Sequence, residues 1–76
     1  MFEQIKSILI DELGVEDDVI TLDAELRGNL GVSSLEFLNV IIALEDAFSI
    51  SMDPDRLVKM NTVGDVVSYI ESLVKE

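Results

Sequence analysis

The sequence predicts an all-α domain, a small bundle of three main helices plus one short helix, with a long first loop. Three features carry that reading. Apolar residues recur at helical spacing in three separate segments. Capping residues stand where those segments begin, in a chain with only four glycines and one proline. Finally, 49% of the residues are apolar, enough to supply one shared core. The 76 residues are expected to form a single domain, residues 1–76, near the lower end of what folds without metals or disulfides.

The first helix is expected over Phe2–Leu13. Phe2, Ile5, Ile8, Leu9 and Leu13 recur at helical spacing, with Glu3, Lys6, Ser7, Asp11 and Glu12 mostly on the other side. Gly14 should end it, because glycine enters the left-handed C-cap conformation without a Cβ clash. Residues 15–33 form a connection of a length that is uncommon in compact domains and tends to be functional. It holds an acidic cluster, Glu16-Asp17-Asp18, and the apolar residues Val19, Ile20, Leu22, Leu26 and Leu30, which should pin it across the helices. A short helical turn fits residues 23–27, with Asp23 as its cap.

The second helix should run from about Leu35 to Phe48, followed by a link over residues 49–52. Asp53-Pro54 then reads as an N-cap followed by proline at the first helical position, where the missing N–H costs nothing. A short third helix through Leu57, Val58 and Met60 follows. Thr62 and Asp65 stand at capping-box spacing, with Asp in place of the preferred Glu or Gln. The last helix carries the stripe Val63, Val66, Val67, Ile70, Leu73 and Val74. Its β-branched valines favour a strand, but the spacing is helical and the segment too long. Helices this short are stable only when packed together.

Composition excludes several function classes. There is no cysteine, hence no disulfide, thiolate zinc site or thiol nucleophile, as fits a reducing compartment. Sixteen acids against five bases give a net charge of −11, which repels nucleic acid and anionic membrane surfaces and favours basic protein partners. The amino-terminal Met-Phe-Glu-Gln-Ile-Lys lacks the basic flank and apolar run of a signal peptide, and no segment is long enough for membrane insertion. The expected protein is soluble, cytoplasmic and monomeric. Glu16-Asp17-Asp18 lacks the spaced ligands and central glycine of an EF-hand loop, so no metal site is expected there beyond weak surface binding.

The second helix is the most informative stretch. At about 100° per residue, Phe37, Val40, Ile41, Leu44 and Phe48 form one arc, sufficient for a core face. Leu35, Leu38 and Ile42 form another, interspersed with Asn39, Glu45 and Asp46 and edged by Ser34. Two explanations stand side by side: a docking strip framed by acids, or a central helix covered on several sides. The serines carry the same ambiguity. Either Ser33 or Ser34 suits the N-cap, where a hydroxyl accepts a first-turn N–H. With no histidine or cysteine in the chain, no usual base is present to activate Ser34 as a catalytic nucleophile; if its hydroxyl reacts, another enzyme supplies the base. Met52 and Met60 either fill core gaps or line a cavity.

These residues resemble the acyl carrier protein family. The likeness is carried by Leu30-Gly31, Ser34-Leu35, Ala43-Leu44-Glu45-Asp46 and Phe48, together with Leu13-Gly14-Val15 closing the first helix and Thr62-Val63 opening the last. It covers essentially the whole chain without insertions. The resemblance implies a non-catalytic carrier. In it, Ser34 bears a covalent 4'-phosphopantetheine arm, transferred from coenzyme A by a phosphopantetheinyl transferase (holo-synthase). The thiol of that arm holds acyl groups as thioesters. It further implies that the helix after the serine is read by basic patches on partner enzymes, through Leu35, Glu36, Ile42, Glu45 and Asp46; the strip of Leu35, Leu38 and Ile42 agrees with that implication.

The chain also departs from the family pattern. Ser33 stands where Asp is usual, Gly28 and Asn29 replace common acids, and Asn39 replaces an acid in the recognition helix. Lower charge around Ser34 suits a specialised carrier, for a polyketide, a peptide, or a modified lipid or sugar, beside the fatty-acid reading. A peptidyl or aminoacyl carrier is the nearest alternative. An unmodified acidic interaction module that keeps the carrier fold is another, of a different class.

Overall fold

The computed structural model describes residues 2–74; Met1, Lys75 and Glu76, at the limits of the expected domain, lie outside the described residues. Among the described residues four α-helices follow one another: α1 (Phe2–Leu13), α2 (Ser34–Phe48), α3 (Pro54–Leu57) and α4 (Val63–Val74). α1 packs against α2. Among the described residues there is no strand, and a single bridge, Glu25 to Thr62, joins the first loop to the start of α4. No helix among the described residues is long and apolar enough to cross a membrane.

The core gathers one stripe from each long helix. Ile5 and Leu9 of α1, Leu44 of α2 and Val63, Val66 and Ile70 of α4 are all but inaccessible. Burying each of the larger aliphatic side chains contributes about 1.5–3 kcal/mol. Gly14 ends α1 as expected, at φ 68°, donating its N–H to the Ile10 carbonyl at 2.9 Å. Met52 and Met60 are buried within this core, and Met60 also lines surface depressions.

The first loop differs from expectation in two ways. Residues 23–27 do not form a helical turn and Asp23 caps nothing; the 3-10 turn instead takes Asp17–Val19. Tertiary pairing outcompetes local helix formation here. The Leu26 N–H donates to the Asn61 carbonyl at 2.8 Å, and the Ala24 and Leu22 carbonyls accept from Val63 and Gly64 at 3.0 and 2.9 Å. The first N–H groups of α4, which no helix can satisfy internally, thereby find acceptors. The loop's apolar residues also divide. Ile20 and Leu26 are buried and Leu30 partly so, while Val19 and Leu22 are exposed, and Ala24 and Val32 take their places in the core. At the acidic cluster, Asp17 pairs with Lys6 of α1. Its hydrogen bond holds the Lys6 ammonium above the usual lysine range, aided by the charges of Asp17, Glu3 and Asp18.

α3 is a single turn. Asp53 caps it, accepting the Asp55 N–H at 2.9 Å, and Pro54 occupies the first helical position. The expected continuation through Val58 and Met60 is not helical: Lys59 and Met60 donate to Arg56 and Leu57 at 3.1 and 3.2 Å. These i to i−3 bonds tighten the chain, turning Met60 inward and leaving Val58 73% exposed. The Tyr69 hydroxyl accepts the Asp53 N–H at 2.8 Å, tying α3 to α4.

α4 opens with the expected capping box. The Thr62 hydroxyl accepts the Asp65 N–H at 3.1 Å, and the Asp65 carboxylate accepts the N–H groups of Asn61 and Thr62 at 2.9 and 3.1 Å. Those backbone donors hold Asp65 below the usual carboxylate range.

Candidate functional site

α2 begins at Ser34, and the neighbouring serines have separate tasks. Ser33 is the N-cap, with extended backbone; its hydroxyl accepts the Glu36 N–H at 3.2 Å and its own N–H donates to the Glu36 carboxylate at 3.0 Å. This reciprocal pair is a complete capping box. A serine can therefore do at position 33 the capping work of an acid, without its charge. Ser34 is the first helical residue, exposed, and its hydroxyl has no hydrogen-bond partner among the described residues. The N–H groups of Ser34 and Leu35 have no intrahelical acceptor, and the start of the helix dipole favours an anion beside them.

The two arcs of α2 separate as the helical projection predicts. Val40, Ile41 and Leu44 are buried, with Phe37 and Phe48 partly buried against the core. On the other arc Leu35, Leu38 and Ile42 are 68%, 53% and 54% exposed. No neighbouring element covers them, so the alternative of an all-round buried helix is set aside. Asp46 and Asn39 are exposed beside this strip.

Two of the acids expected to face partners are used within the chain. Glu36 is exposed, but one carboxylate oxygen belongs to the capping box. Glu45 is half-buried, and its carboxylate accepts the Met52 N–H at 2.7 Å, while its backbone carbonyl accepts from Ser49 and Ile50. Glu45 fastens the chain where it leaves α2.

A groove of about 350 Å³ opens beside Ser34, between α2 and α3. Phe37, Leu38, Leu57 and Val58 give it apolar walls, and Arg27 reaches it from the first loop; no acid lines it. Sequence reasoning missed Arg27 and the outward placement of Val58. A signal for Arg27 existed, as a rare base followed by the neutral Gly28 and Asn29, but none marked Val58.

An exposed helix-start hydroxyl, unpaired N–H groups and a neighbouring guanidinium fit a phosphodiester. The phosphopantetheine attachment site family model matches residues 3–70. The chain belongs to this family. Its members carry 4'-phosphopantetheine covalently and interact with phosphopantetheinyl transferases and with the enzymes that act on the carried groups. The protein is thus a phosphopantetheine carrier.

Proposed function

We propose that this carrier is an acyl carrier protein whose arm is attached to Ser34 and which has no catalytic activity of its own. The observation that carries the assignment is the division of labour between the serines: Ser33 is committed to the cap, and Ser34 has a free hydroxyl at the dipole's positive end. When bound, the arm supplies a thiol on which acyl groups are held as thioesters. Ser34 contributes the oxygen that bonds to phosphorus, with 3',5'-adenosine bisphosphate leaving coenzyme A. The proton of its hydroxyl passes to a base on the transferase, because this chain holds neither histidine nor cysteine.

Leu35, Leu38 and Ile42, with Asp46 and the free edges of Glu36 and Glu45, form the surface offered to basic partner enzymes. The capping box at Ser33 supports a specialised role: it keeps the helix start ordered while lowering its negative charge, so partners would read less acid here than elsewhere on the chain. A polyketide, peptide or modified-lipid cargo therefore stands beside a fatty-acyl one.

The test is intact-mass spectrometry after incubation with coenzyme A and a broad-specificity phosphopantetheinyl transferase. One arm is expected on the wild-type protein and on Ser33→Ala, and none on Ser34→Ala. An adduct that survives Ser34→Ala overturns the assignment; no adduct on the wild type favours the unmodified interaction module.

A further inference from the structure

We propose that the face between α3 and α4 is a second docking surface, opposite in sign to α2, which takes an acidic segment of a partner protein through Arg56 and Lys59. The inference goes beyond arm attachment and does not depend on it. A depression of about 370 Å³ lies on this face, and its lining includes Arg56, Lys59, Asp65, Ser68, Tyr69 and Ser72. It shares no lining residue with the groove beside Ser34. Two of the chain's five bases are gathered here with only one of its 16 acids. Asp53 and Asp55, the acids of the α3 turn, are not among the lining residues.

The turn that follows α3 brings the two bases together. The Lys59 N–H donates to the Arg56 carbonyl at 3.1 Å, and an i to i−3 turn sets side chains three apart nearly one above the other. Both are exposed, and neither forms an ion pair among the described residues, where the one ion pair is Lys6 with Asp17. The Arg56 guanidinium lies over the Tyr69 ring, 5.8 Å from its centre. A contact with the ring's π face orders the guanidinium without using its N–H donors, and those donors match the two oxygens of a carboxylate. Tyr69 is itself held, because its hydroxyl accepts the Asp53 N–H at 2.8 Å. Asp65 competes little for the bases, since its carboxylate accepts the Asn61 and Thr62 N–H groups at the start of α4. Ser68 adds an exposed hydroxyl to the same face.

Charge selects the occupant. Exposed bases hold a lone anion weakly, because each such contact contributes little in water; several acids fixed together are needed. A nucleic acid or an anionic membrane offers them over an area wider than the depression, and there it meets the remainder of a chain of net charge −11. A protein can place acids at this face alone. An arginine against a tyrosine ring is also the composition that interface centres favour.

The experiment follows the backbone amide and arginine Nε resonances of the full chain by NMR, with a tetraglutamate peptide as probe and tetralysine and inorganic phosphate as comparisons. Tetraglutamate should shift Arg56 Nε and the amides of Lys59, Ser68 and Tyr69, and tetralysine should shift residues of α2. Arg56→Gln combined with Lys59→Gln should weaken the tetraglutamate response about tenfold, the sum of two exposed charge contacts. Both side chains are exposed, so the rest of the amide spectrum should stay that of the wild type. Ile42→Ala should leave the response unchanged, which separates this surface from the strip of α2. Resonances unmoved by tetraglutamate, a response undiminished in the double variant or lost in Ile42→Ala, or an equal response to phosphate at matched charge overturns the proposal.

Discussion

Ser33 and Ser34 show how one residue of helical phase separates identical chemistry. The first has extended backbone and turns its hydroxyl onto the Glu36 N–H; the second is inside the helix and cannot reach that donor. Of two identical side chains one therefore becomes a fastener and the other is left exposed at the helix start. Gly64 is constrained just as locally. A Cβ there would lie 2.9 Å from the Leu22 carbonyl oxygen, the same oxygen that accepts the Gly64 N–H. Gly64→Ala should push the first loop off α4 and destabilise the fold by about 1–3 kcal/mol, as overpacking generally does, although alanine is the better helix former. Urea unfolding checks this; a midpoint equal to or above that of the wild type would show that the loop gives way freely.

At the scale of elements, α4 depends on its N-terminus as much as on its apolar stripe. Asp65 closes the capping box, and its folded pKa is lowered below the ordinary 3.8 by the backbone donors of Asn61 and Thr62. A depressed carboxylate stabilises the fold above its unfolded pKa, and that contribution disappears as pH falls through the folded value. Asp65→Asn should therefore melt below the wild type at neutral pH, with the gap narrowing as pH drops below 3.8. Thermal melts across that range decide; a constant gap would assign the loss to packing instead of charge. α3 follows a different logic, with one turn held by the Asp53 cap and the Tyr69 hydroxyl, short enough to leave a groove beside α2.

Across the whole molecule, charge and shape are divided between faces. The net charge of −11 favours encounter with basic enzymes, and steering of this kind governs association rate more than affinity. In the proposed function, the exposed strip of α2 supplies the apolar contact that follows. Ile42→Asp, at a position 54% exposed, should leave stability within about 0.5 kcal/mol of the wild type, the usual range for a surface substitution. It should nonetheless weaken association with the transferase and with acyl-handling enzymes, measured by binding kinetics. Unchanged binding would move the docking surface off this strip; a large loss of stability would show that Ile42 is part of the core.

The sequence by itself determined the three long helices, the caps at Gly14, Asp53 and Thr62 and the two arcs of α2, because period, capping chemistry and glycine conformation act over a few residues. It also carried the family, since the motif register spans the chain. It could not determine what stands opposite each face. The stretch at residues 23–27 has helical potential locally but pairs Ala24 with Val63 of α4 and Leu26 with Asn61 just before it, and Glu45 looks free until Met52 folds back onto it. Only the tertiary structure decided which serine is free, that the strip of Leu35, Leu38 and Ile42 is uncovered, and that Arg27 shares a groove with Ser34. Exposure and proximity belong to a residue's neighbours, and those neighbours come from distant parts of the chain.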